Sequence, residues 1–317
     1  MIYLLVKRLL DSGWLKEHNL DFLRVFTFVT FQATISVLGS FVLVLIGGPG
    51  VIDWLRSQKI KDAPNFDQAD VNRLMEHKRG VPTMGGILII GAIALTTLLL
   101  ADLNNFYVRM ALVCLLWLGA VGFADDWLKL TAARRSSSRQ GLTTLEKLLF
   151  QIGLAVVLCV FTYQHGRFVP PATRFYFPFF KDYYIQLSLW PYVLIGTLVM
   201  TGSSNAVNLT DGLDGLASGC MAIVSFSFVV LSLIVGISEL ANYLLLPHIE
   251  ASGQMAVLAG AITGACLGFL WFNCNPAKVF MGDTGSLALG GLLGYIAIVI
   301  RQELMLFLVG GVFVIEA

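Results

Sequence analysis

The sequence predicts an all-α, polytopic transmembrane helix bundle, and two observations carry that expectation. Hydrophobic residues make up 57% of the 317 positions and charged residues only 13%, against about 25% charged in ordinary soluble domains. The mean hydropathy is +0.78. A soluble chain must cover itself with polar groups and cannot use that much apolar surface. The second observation is the length of the apolar runs, since a bilayer-crossing helix needs about 20 mostly apolar residues. The formal net charge of +1 leaves no strongly basic surface for a phosphate backbone, which argues against nucleic acid as a partner.

On the helical template the spans fall near 26–46, 84–101, 106–124, 145–164, 189–204, 217–238, 255–272, 285–300 and 302–317. These runs are too long for strands and lack the two-residue alternation of a barrel wall. The whole chain, 1–317, reads as a single integral membrane domain, with 26–317 forming the bundle. Residues 1–25 mix Leu9, Leu10, Trp14 and Leu15 with Lys7, Arg8 and Lys16, so this segment reads as an interfacial amphipathic helix or a solvated terminus. The first run starts late, is long and lacks a small-residue cleavage pattern, unlike a removable signal. The ninth run is still apolar at Ala317 with no stop signal, and we read the chain as ending early. An apolar span face could pair with a second copy of the chain or face the lipid bilayer.

Charge orients the bundle. Loop 1–2, named for the spans it joins, carries Arg56, Lys59, Lys61, Arg73, Lys78 and Arg79, and loop 3–4 carries Lys129, Arg134, Arg135 and Arg139. Loops 2–3 and 6–7 carry no Lys or Arg, whereas loop 4–5 carries Arg167, Arg174 and Lys181. The positive-inside rule puts loops 1–2, 3–4, 5–6 and 7–8 in the cytoplasm. The five cysteines (Cys114, Cys159, Cys220, Cys266, Cys274) lie in or beside apolar runs without metal-type spacing, which fits small buried hydrophobes.

Four polar clusters interrupt the apolar pattern, one in each of those four loops. They are HKRGVPTMGG from His77, FADDWLK from Phe123, NAVNLTDGLDG from Asn205 and NCNPAKVFMGDTGS from Asn273. Their shared side suggests one composite cytoplasmic site. Asp125, Asp126, Asp211, Asp214 and Asp283 sit at span ends, where like charges brought together repel unless a cation relieves them. An acid at the bilayer centre costs about 2.5 to 3.5 kcal/mol on insertion scales, and such residues usually mark function. An all-oxygen ligand set favours Mg²⁺ or Ca²⁺ over zinc. The bland alternative is that these acids cap helices or stay solvated. Lys78, Arg79, Lys129, Lys147 and Lys278 accompany them, and acids, a divalent cation and lysines together suit phosphate handling. Gly85, Gly86, Gly212, Gly215, Gly282 and Gly285 would permit positive φ or close backbone approach. Phe280 could stack on a base or anchor in the interface.

These four motifs, with Pro178-Phe179-Phe180-Lys181-Asp182 in loop 4–5, resemble in order and spacing the phospho-N-acetylmuramoyl-pentapeptide transferases of bacterial cell-wall synthesis. The match runs from about His77 to Gly310. It implies a Mg²⁺-dependent enzyme at the bacterial inner membrane. Such an enzyme moves the phospho-sugar of UDP-N-acetylmuramoyl-pentapeptide to undecaprenyl phosphate, yielding lipid I and UMP. It places the family's aspartate pair on Asp125 and Asp126 and its metal-binding aspartate on Asp283, and makes all three catalytic residues. It places the nucleoside pocket on Asn205, Asn208, Asp211, Asp214 and Phe280, and the phosphate-handling lysines on Lys78, Lys129 and Lys147. About nine of the family's ten spans would be present. The family's histidine-rich motif is not formed by His18, His77, His165 or His248. A polyprenyl-phosphate N-acetylhexosamine-1-phosphate transferase would share the aspartates and the acceptor. A transporter would need ionisable groups near midspan, and a membrane scaffold would leave the repeated acids unexplained.

Overall fold

The computed structural model describes residues 1–18, 20–58, 81–135, 141–178 and 180–316. The N-terminal segment forms α1 (Ile2–Asp11), α2 (Trp14–Glu17) and a 3₁₀ turn over Asp21–Thr27. The bundle follows as α3 (Val29–Ser57), α4 (Gly86–Leu100), α5 (Phe106–Arg135), α6 (Thr144–Gly166), α7 (Leu189–Thr210) and α8 (Leu216–Gly236). After the short α9 (Ser238–Tyr243) come α10 (Met255–Asn273) and α11 (Gly282–Val299). Among the described residues six helices, namely α3, α5, α6, α8, α10 and α11, are long and apolar enough to cross a membrane. Helix α4 is a shorter apolar one. The expected all-α membrane bundle is what the chain forms.

Two helices make the centre. The apolar stretches of α10 and α11 are 83% and 89% buried, against 28% for α3 and α6, so the outer helices keep a face for lipid. Helix α10 packs against α3 and α8, while α11 lies between α5 and α7. Without a hydrophobic force between helices in lipid, close backbone approach through small residues supplies the attraction. On α10, Gly260, Gly264 and Gly268 recur every fourth residue, and each faces a backbone carbonyl of α3, those of Ala33, Val37 and Phe41. Buried hydroxyls add hydrogen bonds across the seams. Ser36 donates to the Val257 carbonyl at 2.8 Å, and Ser204 donates to the Leu287 carbonyl at 2.9 Å.

Four features differ from the sequence expectation. The first span does not end at 46 but runs through Gly47-Gly48-Pro49-Gly50 to Ser57. Helical residues preceding Pro49 meet the ring of Phe272 at Gly48, so tertiary packing overrides a local breaker signal. The third span extends to Arg135, beyond the expected 124, which puts Asp125 and Lys129 one turn apart on one helix. Loop 4–5 contains an antiparallel hairpin, β1 (Arg174–Phe177) with β2 (Phe180–Gln186). The ninth apolar run is two short helices, α12 (Glu303–Val309) and α13 (Gly311–Glu316). The break falls at the Gly310-Gly311 pair, where glycine is the poorest ordinary helix former.

The N-terminal ammonium group donates to the carbonyls of Leu98 and Leu99. That contact ties α1 to the far end of α4, away from the helix ends that hold the polar clusters.

Candidate active site

Three helix ends converge beside the second half of α5: α6 and α11 begin there, and α7 stops. Asp125 and Asp126 lie on α5, fully or nearly fully buried. A positive-φ glycine, Gly141, precedes α6, which opens with a capping box between Thr143 and Glu146. That cap satisfies two of the helix's free amides and fixes Lys147 one turn into α6. The Leu142 amide also donates to Asp125 Oδ1 at 2.7 Å.

Two lysines bridge two carboxylates. Lys129 Nζ lies 2.7 Å from Asp125 Oδ2 and 3.2 Å from Asp283 Oδ2. Lys147 Nζ lies 2.7 Å from Asp125 Oδ2 and 2.5 Å from Asp283 Oδ2. The other oxygen of Asp283 accepts from Asn208 Nδ2 at 2.9 Å, and the same amide donates to Ser286 Oγ at 2.9 Å. Carboxylate oxygens of Asp125, Asp126 and Asp283 lie within 4.8 Å of one another. These are hard oxygen donors on three acids with no sulfur or imidazole among them, so the set fits a hard divalent cation such as Mg²⁺.

Asp126 points to the start of α11 rather than to the lysines. Its carboxylate accepts from the Asp283 amide at 3.3 Å, the Thr284 amide at 2.9 Å and the Thr284 hydroxyl at 2.6 Å. Asp211, just past α7, accepts from the Gly282 amide at 3.2 Å. Desolvation pushes the Asp211 carboxyl well above the ordinary carboxylate range; the Gly282 amide pulls the other way, and the negative charges of Asp283 and Asp126 raise it further.

The remaining expected residues divide. Asp214 accepts from the Ala277 amide at 3.3 Å, stapling loop 5–6 to loop 7–8. Asn205 lies one turn before Asn208, and its amide group donates to Gln151 Oε1 at 2.6 Å and the Thr201 carbonyl at 2.8 Å, away from Asp283. Phe280 is part-buried, and its backbone is zipped to the segment before α4. Its amide donates to the Pro82 carbonyl at 2.9 Å, and its carbonyl accepts from the Gly85 amide at 2.8 Å. Lys78 lies outside the described residues.

Four polar residues stand in this network without having been singled out: Gln151, Asn273, Thr284 and Ser286. Asn273 is buried, accepts from the Gly215 amide and Ser218 Oγ, and donates to the Val279 carbonyl. Asn273, Thr284 and Ser286 all fall inside the fourth motif, so their position was visible although their partners were not. Gln151 gave only the signal of one polar side chain within an apolar run.

The crossing of α5 and α11 depends on Gly122, where an added Cβ would overlap the carbonyl of Asp283. Gly122→Val is expected to destabilise the protein by about 1 to 3 kcal/mol through overpacking and to separate the two aspartates. Thermal unfolding in detergent and a turnover assay check both; wild-type values in each would refute this account of the crossing.

The sequence model of glycosyl transferase family 4 matches residues 108–301, a stretch that contains Asp125, Lys147, Asn208 and Asp283. The chain belongs to that family. Among relatives, the phospho-N-acetylmuramoyl-pentapeptide-transferases of Nitratidesulfovibrio vulgaris strains DP4 and Hildenborough are each 42% identical over 292 residues. Those alignments span 92% of this chain and 78% of each relative. This family 4 member is therefore similar to the muramoyl-type transferases along most of its length.

Proposed function

We propose that the chain transfers phospho-N-acetylmuramoyl-pentapeptide from its UDP carrier to undecaprenyl phosphate, at the cytoplasmic face of the bacterial inner membrane. The products are lipid I and UMP. The observation that carries this reading is the pairing of Asp125 and Asp283 with Lys129 and Lys147 at one end of an apolar bundle. That constellation joins a lipid-facing scaffold to groups that handle phosphate.

The cation assigned to the cluster is Mg²⁺, held by Asp283. When bound it neutralises charge on the donor's diphosphate. The residues of the chain do the rest. Lys129 and Lys147, already beside Asp283, place two positive charges where the diphosphate would lie. Asp125 orients the acceptor phosphate and takes its last proton when one remains. A phosphate monoester has a second pKa of about 6 and is mostly dianionic at pH 7, so positioning and charge relief matter more than base strength. An acceptor oxygen attacks the sugar-bearing β-phosphorus, the bond from that phosphorus to the bridging oxygen breaks, and UMP leaves. Asn208 holds Asp283 from the side opposite the lysines, so that its carboxylate faces the substrate.

The test is UMP release by the detergent-solubilised full-length protein with undecaprenyl phosphate and either UDP-N-acetylmuramoyl-pentapeptide or UDP-N-acetylglucosamine, with Mg²⁺ or chelator. Metal-dependent turnover of the muramoyl donor alone is the expected result. Turnover of the acetylglucosamine donor instead would keep the site chemistry and overturn the substrate. Trapping a labelled phospho-enzyme with donor alone would replace the single displacement by a two-step route.

Lys147→Met is expected to lower kcat by about 10²- to 10³-fold, the usual effect of losing one group that stabilises developing charge. Steady-state kinetics check this, and an unchanged kcat would remove Lys147 from the phosphate site.

A further inference from the structure

Helix α11 begins without a cap of its own. Its cap position is Met281, which supplies no side-chain acceptor, and Gly282 turns the chain into the helix at a φ of 74°. The first amides of a helix need acceptors from elsewhere, and at the edge of a bilayer the cost of leaving them unpaired rises.

Here the acceptors come from two other helices, from the C-cap of α7 and from within α5. Asp211 takes the Gly282 amide, and Asp126 takes the amides of Asp283 and Thr284 together with the Thr284 hydroxyl. Both oxygens of Asp126 are thereby engaged at the positive end of the α11 dipole, where a carboxylate is favoured. Its neighbour Asp125 faces another way, toward the Leu142 amide and the two ammonium groups.

We infer that the adjacent aspartates divide the work. Asp125 faces the reacting phosphates, whereas Asp126 is a positioning residue that acts through Asp283 by holding the start of α11 in register. The inference rests on the reading of Asp283 as the cation-holding group. An aspartate clasped by three donors on the helix that carries Asp283 is placed to set the direction of that carboxylate. Asp126→Asn keeps the shape but turns one acceptor into a donor facing a backbone N–H.

The experiment titrates Mn²⁺ into the solubilised full chain, followed by electron paramagnetic resonance, beside UMP-release kinetics. In Asp283→Asn, bound Mn²⁺ is expected to disappear. In Asp126→Asn, it is expected to persist with affinity within about fivefold and a changed spectrum. There kcat falls by at least about 100-fold, and donor KM shifts by less than about threefold. Thr284→Ala, a milder change that removes only the hydroxyl, is expected to lower kcat by about tenfold. The double variant Asp126→Asn/Thr284→Ala is then no slower than Asp126→Asn within about twofold, since both act through one contact.

Loss of Mn²⁺ binding in Asp126→Asn as complete as in Asp283→Asn would make Asp126 a ligand and overturn the proposal. Multiplying losses in the double variant would overturn it as well. A wild-type chain that binds no Mn²⁺ overturns the reading of Asp283 instead, and the coupling of Asp126 to Thr284 then decides the positioning role by itself.

Discussion

Asp283→Asn is expected to reduce turnover at least about 10³-fold, roughly 4 kcal/mol of barrier, while the protein stays folded and monodisperse in detergent. Asp283 is where the network closes: one oxygen receives Asn208, and the other receives both lysines. The amide side chain keeps the size and can still accept from Asn208, so packing at the start of α11 is preserved. What disappears is the negative charge that holds two ammonium groups together and offers a hard ligand to a divalent cation. Phosphoryl transfer depends on positioning and charge neutralisation, so the loss falls on kcat. Turnover assays paired with size-exclusion chromatography decide it. Near-normal turnover in a folded variant would remove Asp283 from the reaction.

Asp125→Asn is expected to be nearly as severe, about 10²- to 10⁴-fold in kcat, the range for a group that positions or accepts a proton. Asp125 is fully buried, with Lys129 and Lys147 each 2.7 Å from one oxygen and the Leu142 amide on the other. Removing one partner of a buried ion pair costs stability, about 3 to 5 kcal/mol in strongly buried cases. Lys129, with its side chain 45% exposed, can relax into water and soften that cost. Turnover at several pH values and a thermal melt, both against wild type, separate the catalytic from the structural loss. A variant that melts early but turns over normally once folded would assign Asp125 to the scaffold.

Much of the fold and of the site is legible in the amino-acid sequence. Apolar runs of bilayer length announce the helices, and eight of the nine expected runs correspond to single helices that begin or end near the expected positions. Four polar motifs on alternate loops announce a composite site, because alternate connections of a membrane bundle must emerge on the same side. Asp125, Lys129, Lys147, Asn208 and Asp283 do meet there. The first helix continues through Gly-Gly-Pro-Gly, past the expected end at 46, because breaker residues report local preference, whereas a neighbouring helix stabilises the conformation actually taken. The hairpin at 174–186 is hidden because a short aromatic-rich loop carries little periodic signal.

Composition and pattern by themselves determined the membrane surroundings, the helices and the gathering of the acidic and lysine-bearing motifs on one side. They could not say which of two adjacent aspartates meets the lysines. Successive residues on a helix point about 100° apart, and the rotation of α5 in the bundle selects the direction of each. That rotation is set by close packing of Gly122 on the backbone of α11. The same applies to Asn205 and Asn208: three residues apart on α7, one faces Gln151 and the other Asp283. Only the tertiary structure decides such matters, because they depend on which helix faces which, and that is settled by packing over the whole bundle rather than by any local stretch of sequence.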